Sequence, residues 1–189
     1  MTIRIDTTRR RLLKGAAGAT ALLGFPMIAK ATTFGRSFNP ARDLSLDHTH
    51  TREKIELTYA LGREYIPDAL LDLNHFLRDH YSGLVGNMDP GLYDIMYRIR
   101  TSLGARAPFH IISGYRSPQT NERLRARGGG GVARRSLHMD GKAVDIRLPG
   151  VPLAELRDAA LELGAGGVGF YPGSNFVHVD TGRVRSWKG

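Results

Sequence analysis

Apolar and polar positions alternate in several short segments of this chain, the pattern that places every second side chain on one face of a β-strand. In residues 54–59, for example, Ile55, Leu57 and Tyr59 fall on one face. Residues 51–53 separate this segment from an earlier extended one and predict a hairpin. The predicted strands are 44–51, 54–59, 108–114, 143–148, 168–171 and 176–180, the last two joined by a turn at 172–175.

Other segments have the three- and four-residue spacing of amphipathic helices. The first predicted helix begins at Pro67 and continues through Tyr81, until Gly83 stops it. The second covers 89–103, with Asp89 as its N-cap and Pro90 at its first helical position. The remaining helices are predicted at 118–127, capped by Ser117, and at 152–163.

These elements predict an α+β fold in which helices pack on a small, mostly antiparallel sheet. The 189 residues, of which 41% are hydrophobic and 24% charged, suffice for one soluble globular domain with a core. No repeat or second domain is visible in the sequence. We therefore expect a single domain over residues 44–189.

The N-terminus has the features of an export signal. Residues 8–14, Thr-Arg-Arg-Arg-Leu-Leu-Lys, match the twin-arginine motif, and an apolar stretch at 15–28 is too short and too weakly hydrophobic for a membrane span. Ala29 and Ala31 supply the small residues of a signal-peptidase site. We predict a twin-arginine signal peptide at 1–31, a polar linker at 32–43 and a periplasmic protein. A basic amphipathic membrane anchor, or retention of the uncleaved chain at the membrane, is the alternative.

The net charge and the absence of cysteine limit which partners and metal ligands the protein can have. Five of the nine net positive charges lie in residues 1–31, so the remainder is only mildly basic. That balance suits an anionic polymer such as peptidoglycan, or simply a soluble surface, and does not indicate a nucleic-acid partner. The absence of cysteine excludes disulfides, a thiol nucleophile and thiolate ligands, so any metal must be bound by His, Asp or Glu.

Two segments carry candidate metal ligands. His138 lies in a loop seven residues before Asp145, an acidic residue inside an apolar strand, where an unpaired carboxylate would be costly. In the last strand, His178 shares one face with Asp180. If the two strands are neighbours, His138, Asp145 and His178 converge. Two imidazoles and a carboxylate, with a fourth position left for water, form a catalytic zinc site.

Each of these residues also has an ordinary structural explanation. His138 could be a loop histidine, His178 a hydrogen-bonded histidine of the sheet, and Asp145 the partner of an arginine. Spacing alone leaves these alternatives open.

The order Ser136-x-His138-x-x-Gly141-x-Ala143-x-Asp145 resembles the signature of the zinc peptidase family of D-Ala-D-Ala carboxypeptidases and peptidoglycan endopeptidases. Ser-Gly-Tyr-Arg-Ser at 113–117 and a His-x-Asp near the C-terminus are similar to its YcbK-like branch of murein endopeptidases. The resemblance covers approximately residues 44–187. It implies the zinc D-Ala-D-Ala carboxypeptidase-like fold and zinc-dependent hydrolysis of cross-linked peptidoglycan stem peptides. A D-Ala carboxypeptidase and a non-catalytic wall-binding module are the alternatives.

The resemblance also implies residue roles. His138, Asp145 and His178 match the zinc ligands. Arg116 matches the family arginine that holds a substrate carboxylate or the carbonyl oxygen near the metal, a task suited to a guanidinium, although an ordinary ion pair is the alternative. Independently of the resemblance, the Arg134-Arg135 pair could contact stem-peptide carboxylates or could be a solvated charge pair.

One departure from the family pattern concerns the general base. Many members place a catalytic Glu, Asp or His two or three residues before the last ligand, where this chain has Phe176 and Asn175. Asp180 is our first candidate for the base, because it shares the face of His178. It could instead orient a ligand, a common role for a carboxylate beside a metal site. Asp140 is a more distant candidate.

Overall fold

The computed structural model describes residues 40–128 and 132–189, so the predicted signal peptide and most of the predicted linker lie outside the described residues. No helix in the described ranges is long and apolar enough to cross a membrane. The strands are β1 Ala41–His48, β2 Lys54–Leu61, β3 Glu64–Tyr65, β4 Phe109–Ser113, β5 Ala143–Arg147, β6 Gly167–Tyr171, β7 Phe176–Asp180 and β8 Arg185–Lys188. The helices are α1 Pro67–Phe76, α2 Gly91–Ser102, α3 Pro118–Ala126 and α4 Leu153–Leu163, with a 3-10 turn, η1, at Leu137–Asp140.

All eight strands form one sheet in the order β3-β2-β1-β4-β5-β7-β6-β8. Neighbouring strands are antiparallel except for the β1–β4 and β6–β8 pairs, which are parallel. The predicted α+β architecture with a mostly antiparallel sheet is therefore confirmed. The predicted hairpins are also present, as β1–β2 and as β6–β7.

The core lies between one face of the sheet and helices α1, α2 and α4. Alternation along the strands directs one set of apolar side chains to this face, as the periodicity predicted. These side chains are buried and come from four adjacent strands: Leu44 and Leu46, Phe109 and Ile111, Val144 and Ile146, and Val177 and Val179. The polar residues between them are consequently directed to the opposite face, where the candidate ligands lie.

Helix α1 is shorter than predicted. It ends at Phe76 rather than continuing through Tyr81. The buried carboxylate of Asp79 accepts hydrogen bonds from the amide of Tyr81, at 2.9 Å, and from both the amide and the hydroxyl of Ser117. These bonds offer the backbone an alternative to the next helical turn, and they fix the segment that follows β4.

Other boundaries differ by a few residues. Strand β1 begins at Ala41, inside the segment predicted as a linker, because residues 41–43 pair with the end of β2. The N-cap of α2 is Pro90 rather than Asp89, although the Asp89 carboxylate still accepts the Gly91 amide at 2.9 Å. Strands β3 and β8 are too short to have produced a periodic signal. The predicted cap of α3 is present, since Ser117 Oγ accepts the amide of Thr120.

Candidate active site

Adjacent strands bring two of the candidate ligands together. Strands β5 and β7 are antiparallel neighbours, and their register places Asp145 directly opposite His178. The 3-10 turn η1, immediately before β5, contributes His138. All three side chains are buried, and Asp145 is only 2% exposed. The sequence-based expectation that these residues lie close together therefore agrees with the arrangement of the strands.

The donor atoms of these three residues have a spacing that fits a metal ion. Asp145 Oδ1 lies 2.9 Å from His178 Nδ1 and 3.2 Å from His138 Nε2, and the two imidazole nitrogens lie 3.2 Å apart. In a tetrahedral zinc site with bonds of about 2.0–2.1 Å, ligand atoms are about 3.3 Å apart. Among residues 40–128 and 132–189, these three residues are the one group of His, Asp or Glu side chains close enough together to hold a metal ion. One carboxylate and two imidazoles suit a borderline divalent cation.

Each imidazole is oriented by a hydrogen bond from its other nitrogen. His138 Nδ1 donates to the carbonyl oxygen of Gly114 at 2.7 Å, which leaves the Nε2 lone pair for the site. His178 Nε2 donates to Asp180 Oδ2 at 3.1 Å, so Nδ1 is the nitrogen that faces Asp145. Metal-binding histidines are usually held in this way, by a carbonyl or carboxylate that fixes the ring and its tautomer.

Asp180 lies behind His178 and is fully buried. Besides His178, its carboxylate accepts the backbone amides of Gly167 and Gly182, at 3.0 and 2.9 Å. Arg185 donates to both carboxylate oxygens, at 3.0 and 2.7 Å. These donors hold the pKa of Asp180 well below its usual range, even though burial alone would raise it. Asp180 is not among the residues that line the cleft described below.

Arg116 contacts the other oxygen of Asp145. Its Nη2 pairs with Asp145 Oδ2, and its Nε donates to Ser113 Oγ at 2.8 Å. A bulge in β4 between Ile111 and Ser113 makes this possible, because without the extra residue Ser113 would share the core face of Ile111. The bulge places Ser113 opposite Asp145 instead. Arg116 thus compensates the negative charge of the buried Asp145 carboxylate.

The pKa shifts of the three candidate ligands follow from this packing. Burial lowers the pKa of His138. Burial would also lower the pKa of His178, but its hydrogen bonds to Asp145 and Asp180 outweigh that effect and raise it. Burial would raise the pKa of Asp145, yet His138, His178 and Arg116 hold it well below the ordinary value. Asp145 is therefore ionised, and a bound cation would compete with a proton at His178 Nδ1.

The structure explains why the motif at 136–145 has small residues at Gly141 and Ala143. Gly141 has a φ of 66°, and a Cβ there would lie 2.0 Å from the carbonyl oxygen of Asn87. Ala143 is buried and lies opposite Asp180 in the β5–β7 ladder, on the same face as Asp145. Larger side chains at these two positions would displace either the loop before α2 or the carboxylate that orients His178.

The three candidate ligands lie in an open cleft of about 750 Å³. Its cationic lining residues are Arg116, Arg135 and Arg185, and its aromatic lining residues are Tyr171, Phe176 and Trp187. Asp145 is the single acidic residue that lines the cleft within the described part of the chain. Asp140 is exposed at the end of η1 and does not line it.

Sequence reasoning missed the contribution of the C-terminal strand. Trp187 and Arg185 both lie on β8, a four-residue strand. Trp187 donates from Nε1 to the hydroxyl of Tyr171 at 2.8 Å, and its ring lies 5.2 Å from that of His178. The one available signal was the presence of the chain's single tryptophan close to the His-x-Asp motif.

Comparison with known proteins identifies the family of this chain. Residues 36–187 match the family described as peptidoglycan L,D-endopeptidase MepK. This chain belongs to that family. It is 45% identical over 186 residues to peptidoglycan L,D-endopeptidase MepK of Escherichia coli K12, covering 97% of this chain and 99% of the relative. It is 40% identical to the probable peptidoglycan L,D-endopeptidase MepK of Haemophilus influenzae, covering 98% of each. The assignment to the murein endopeptidase branch of the metallopeptidase family is therefore confirmed.

Proposed function

We propose that this protein is a zinc-dependent endopeptidase that hydrolyses peptide cross-links in bacterial peptidoglycan. The observation that carries the proposal is the meeting of His138, Asp145 and His178 around one point on the wall of an open cleft. Their three donor atoms are within 3.2 Å of one another, and the two imidazoles are oriented from behind. Membership of the MepK family supplies the class of substrate.

The bond we propose is an L,D cross-link. The relatives that match this chain over nearly its whole length are named L,D-endopeptidases. In peptidoglycan that contains diaminopimelate, we propose that this bond joins two diaminopimelate residues of neighbouring stem peptides. The openness of the cleft is compatible with a branched, cross-linked substrate.

We propose the following roles for the residues of the site. His138, Asp145 and His178 would hold zinc, which when bound polarises a carbonyl and activates water near neutral pH. Arg116, anchored to Asp145 and Ser113, would bind the carbonyl oxygen or stabilise the negative charge that develops on it. Asp180 would orient His178 and would not transfer the proton, because its carboxylate is buried and already accepts five hydrogen bonds.

We also propose that the protein reaches the periplasm by the twin-arginine route, with cleavage after Ala31. The basis is the sequence of residues 1–31 and the cell-wall substrate of the family. Replacing both Arg9 and Arg10 with Lys should leave the protein uncleaved in the cytoplasm, which fractionation and N-terminal sequencing would detect.

Product analysis on defined muropeptide dimers tests the enzymatic proposal. Zinc-loaded protein should convert L,D-cross-linked dimers to monomers, and chelator or Asp145→Ala should abolish this. Asp72→Ala is the matched control, because Asp72 is an exposed carboxylate on α1 that neither lines the cleft nor is a candidate for the base. Release of terminal D-Ala without loss of dimers would identify a carboxypeptidase instead. Binding of zinc and sacculi without release of any fragment would identify a binding module.

A further inference from the structure

The three arginines that line the cleft differ in how their guanidinium groups are used. Arg116 uses Nε and Nη2 on Ser113 and Asp145, which leaves Nη1 for the proposed contact with the carbonyl oxygen. Both terminal nitrogens of Arg185 are committed to Asp180. Arg135, by contrast, is exposed and has no ion pair or side-chain hydrogen bond with residues 40–128 and 132–189. Its guanidinium is thus available to a ligand.

The environment of Arg135 favours an anionic ligand. Three arginine side chains line the cleft, and the one acidic side chain that lines it in the described part of the chain, Asp145, is already shared among Arg116 and two imidazoles. Near Arg135, the chain is held to α3 by a hydrogen bond from Asn121 Nδ2 to the carbonyl oxygen of Ala133, at 3.1 Å. The guanidinium is therefore carried by a segment with a defined position, and a bidentate carboxylate is its natural partner.

An aromatic shelf, formed by Tyr171, Phe176 and Trp187, lines the same cleft. Tyr171 and Phe176 stack with ring centroids 4.6 Å apart, and Trp187 is hydrogen-bonded to the Tyr171 hydroxyl. The indole packs against the backbone at Gly169, where a Cβ would come within 2.6 Å of it. The shelf is thus built in advance, next to His178, and offers an apolar surface to a ligand.

We propose that the cleft selects a peptide residue that joins a free carboxylate to a methylene chain. Arg135 binds the carboxylate, and the aromatic shelf packs against the methylene groups. This inference rests on the proposed function, in which such a residue flanks the bond to be cut. It makes Arg135 a specificity-determining residue: a cross-link whose neighbouring carboxylate is converted to a carboxamide is a poorer substrate, because the amide lacks the charge that a guanidinium recognises.

Trp187 is the chain's single tryptophan, so its fluorescence reports binding in the cleft without catalysis. Chelator-treated protein is titrated with two cross-linked dimers that are identical except for amidation of this carboxylate. Because an ion pair made by an exposed guanidinium is weakened by solvent, the expected effect is up to about fivefold tighter binding of the free acid. Arg135→Gln should reduce the ratio of the two affinities to about one, because it weakens binding of the free-acid dimer and not of the amidated dimer. Arg134→Gln is the matched control, because Arg134 is exposed but outside the cleft, and should keep the ratio.

Equal binding of the two dimers by the unaltered protein would overturn the inference, as would an unchanged ratio in Arg135→Gln or an equal loss in Arg134→Gln. The same dimers are then given to the zinc-loaded protein. Equal cleavage of both would remove the inference and leave the proposed endopeptidase intact. Selective binding with no cleavage of either dimer would leave the inference intact and remove the endopeptidase.

Discussion

Replacing Asp180 with Asn separates two roles for this carboxylate, orientation of His178 and transfer of a proton. The substitution keeps the shape of the side chain but removes its charge. In the structure, Asp180 accepts two backbone amides, the Nε2 hydrogen of His178 and two nitrogens of Arg185. Asn offers one acceptor oxygen and a donor amide, so some of these donors lose their partner.

The expected loss is in metal affinity. Removing a carboxylate that orients a metal-binding histidine typically costs 10–100-fold in affinity, or about 1.4–2.7 kcal/mol. Because Asp180 is fully buried and does not line the cleft, it has no route to the substrate. Turnover at saturating zinc should therefore fall by less than about tenfold, well short of the loss expected when a general base, worth about 10²–10⁴-fold, is removed.

Competition against a chromophoric chelator measures zinc affinity, and dimer cleavage at saturating zinc measures turnover. Thermal unfolding of Asp180→Asn in chelator and in zinc shows whether the variant remains folded. If Asp180→Asn bound zinc with unchanged affinity but lost a thousandfold or more in turnover, the orienting role would be refuted and Asp180 would be the base.

Two further predictions concern stability. Gly141→Ala should unfold at a lower temperature and bind zinc poorly. The left-handed backbone at this position costs an alanine about 1–2 kcal/mol, and its Cβ would clash with the carbonyl oxygen of Asn87. An unchanged melting temperature would contradict this prediction. Burial, and then repulsion from His80 and His50, lowers the pKa of His48 to about 4, so the unfolded chain binds more protons below pH 6.5 and stability falls as the pH drops from 6.5 towards 4. Urea unfolding at pH 7.5 and at pH 5 measures this loss. Between these two pH values the free energy of unfolding of His48→Asn, whose side chain retains a hydrogen-bond acceptor, should fall by about 2 kcal/mol less than that of the unaltered protein. An equal fall in both proteins would contradict the prediction.

The convergence of the candidate ligands was predictable because it depends on strand alternation. Val177 and Val179 had to face the core, which directs His178 to the other face, and the same argument directs Asp145 away from Val144 and Ile146. The pairing of β5 with β7 and the position of His138, in the turn before β5, had to be assumed, and the resemblance to the family motif supported both.

What could not be predicted are the features that depend on tertiary contacts. The end of α1 depends on a carboxylate, Asp79, whose partner Ser117 is 38 residues away. The anchoring of Arg116 depends on a bulge that a periodic pattern cannot reveal, since the pattern assigns Ser113 to the face of Ile111. Strand β8 carries too few residues to show a period at all.

Strand β8 bears directly on the role of Asp180. From the sequence, Asp180 is a carboxylate two residues beyond His178 on the same strand face, which is compatible with a base that reaches the substrate. The parallel addition of β8 to β6 brings Arg185 against that carboxylate and covers it. An acid that is fully buried, paired with a guanidinium and lowered in pKa is poorly suited to accept a proton near neutral pH. The same contacts make it well suited to hold an imidazole in place, because a carboxylate fixed by four other hydrogen bonds can fix a fifth donor. The contacts made by the short final strand therefore support our proposal that Asp180 orients His178 and does not accept the proton.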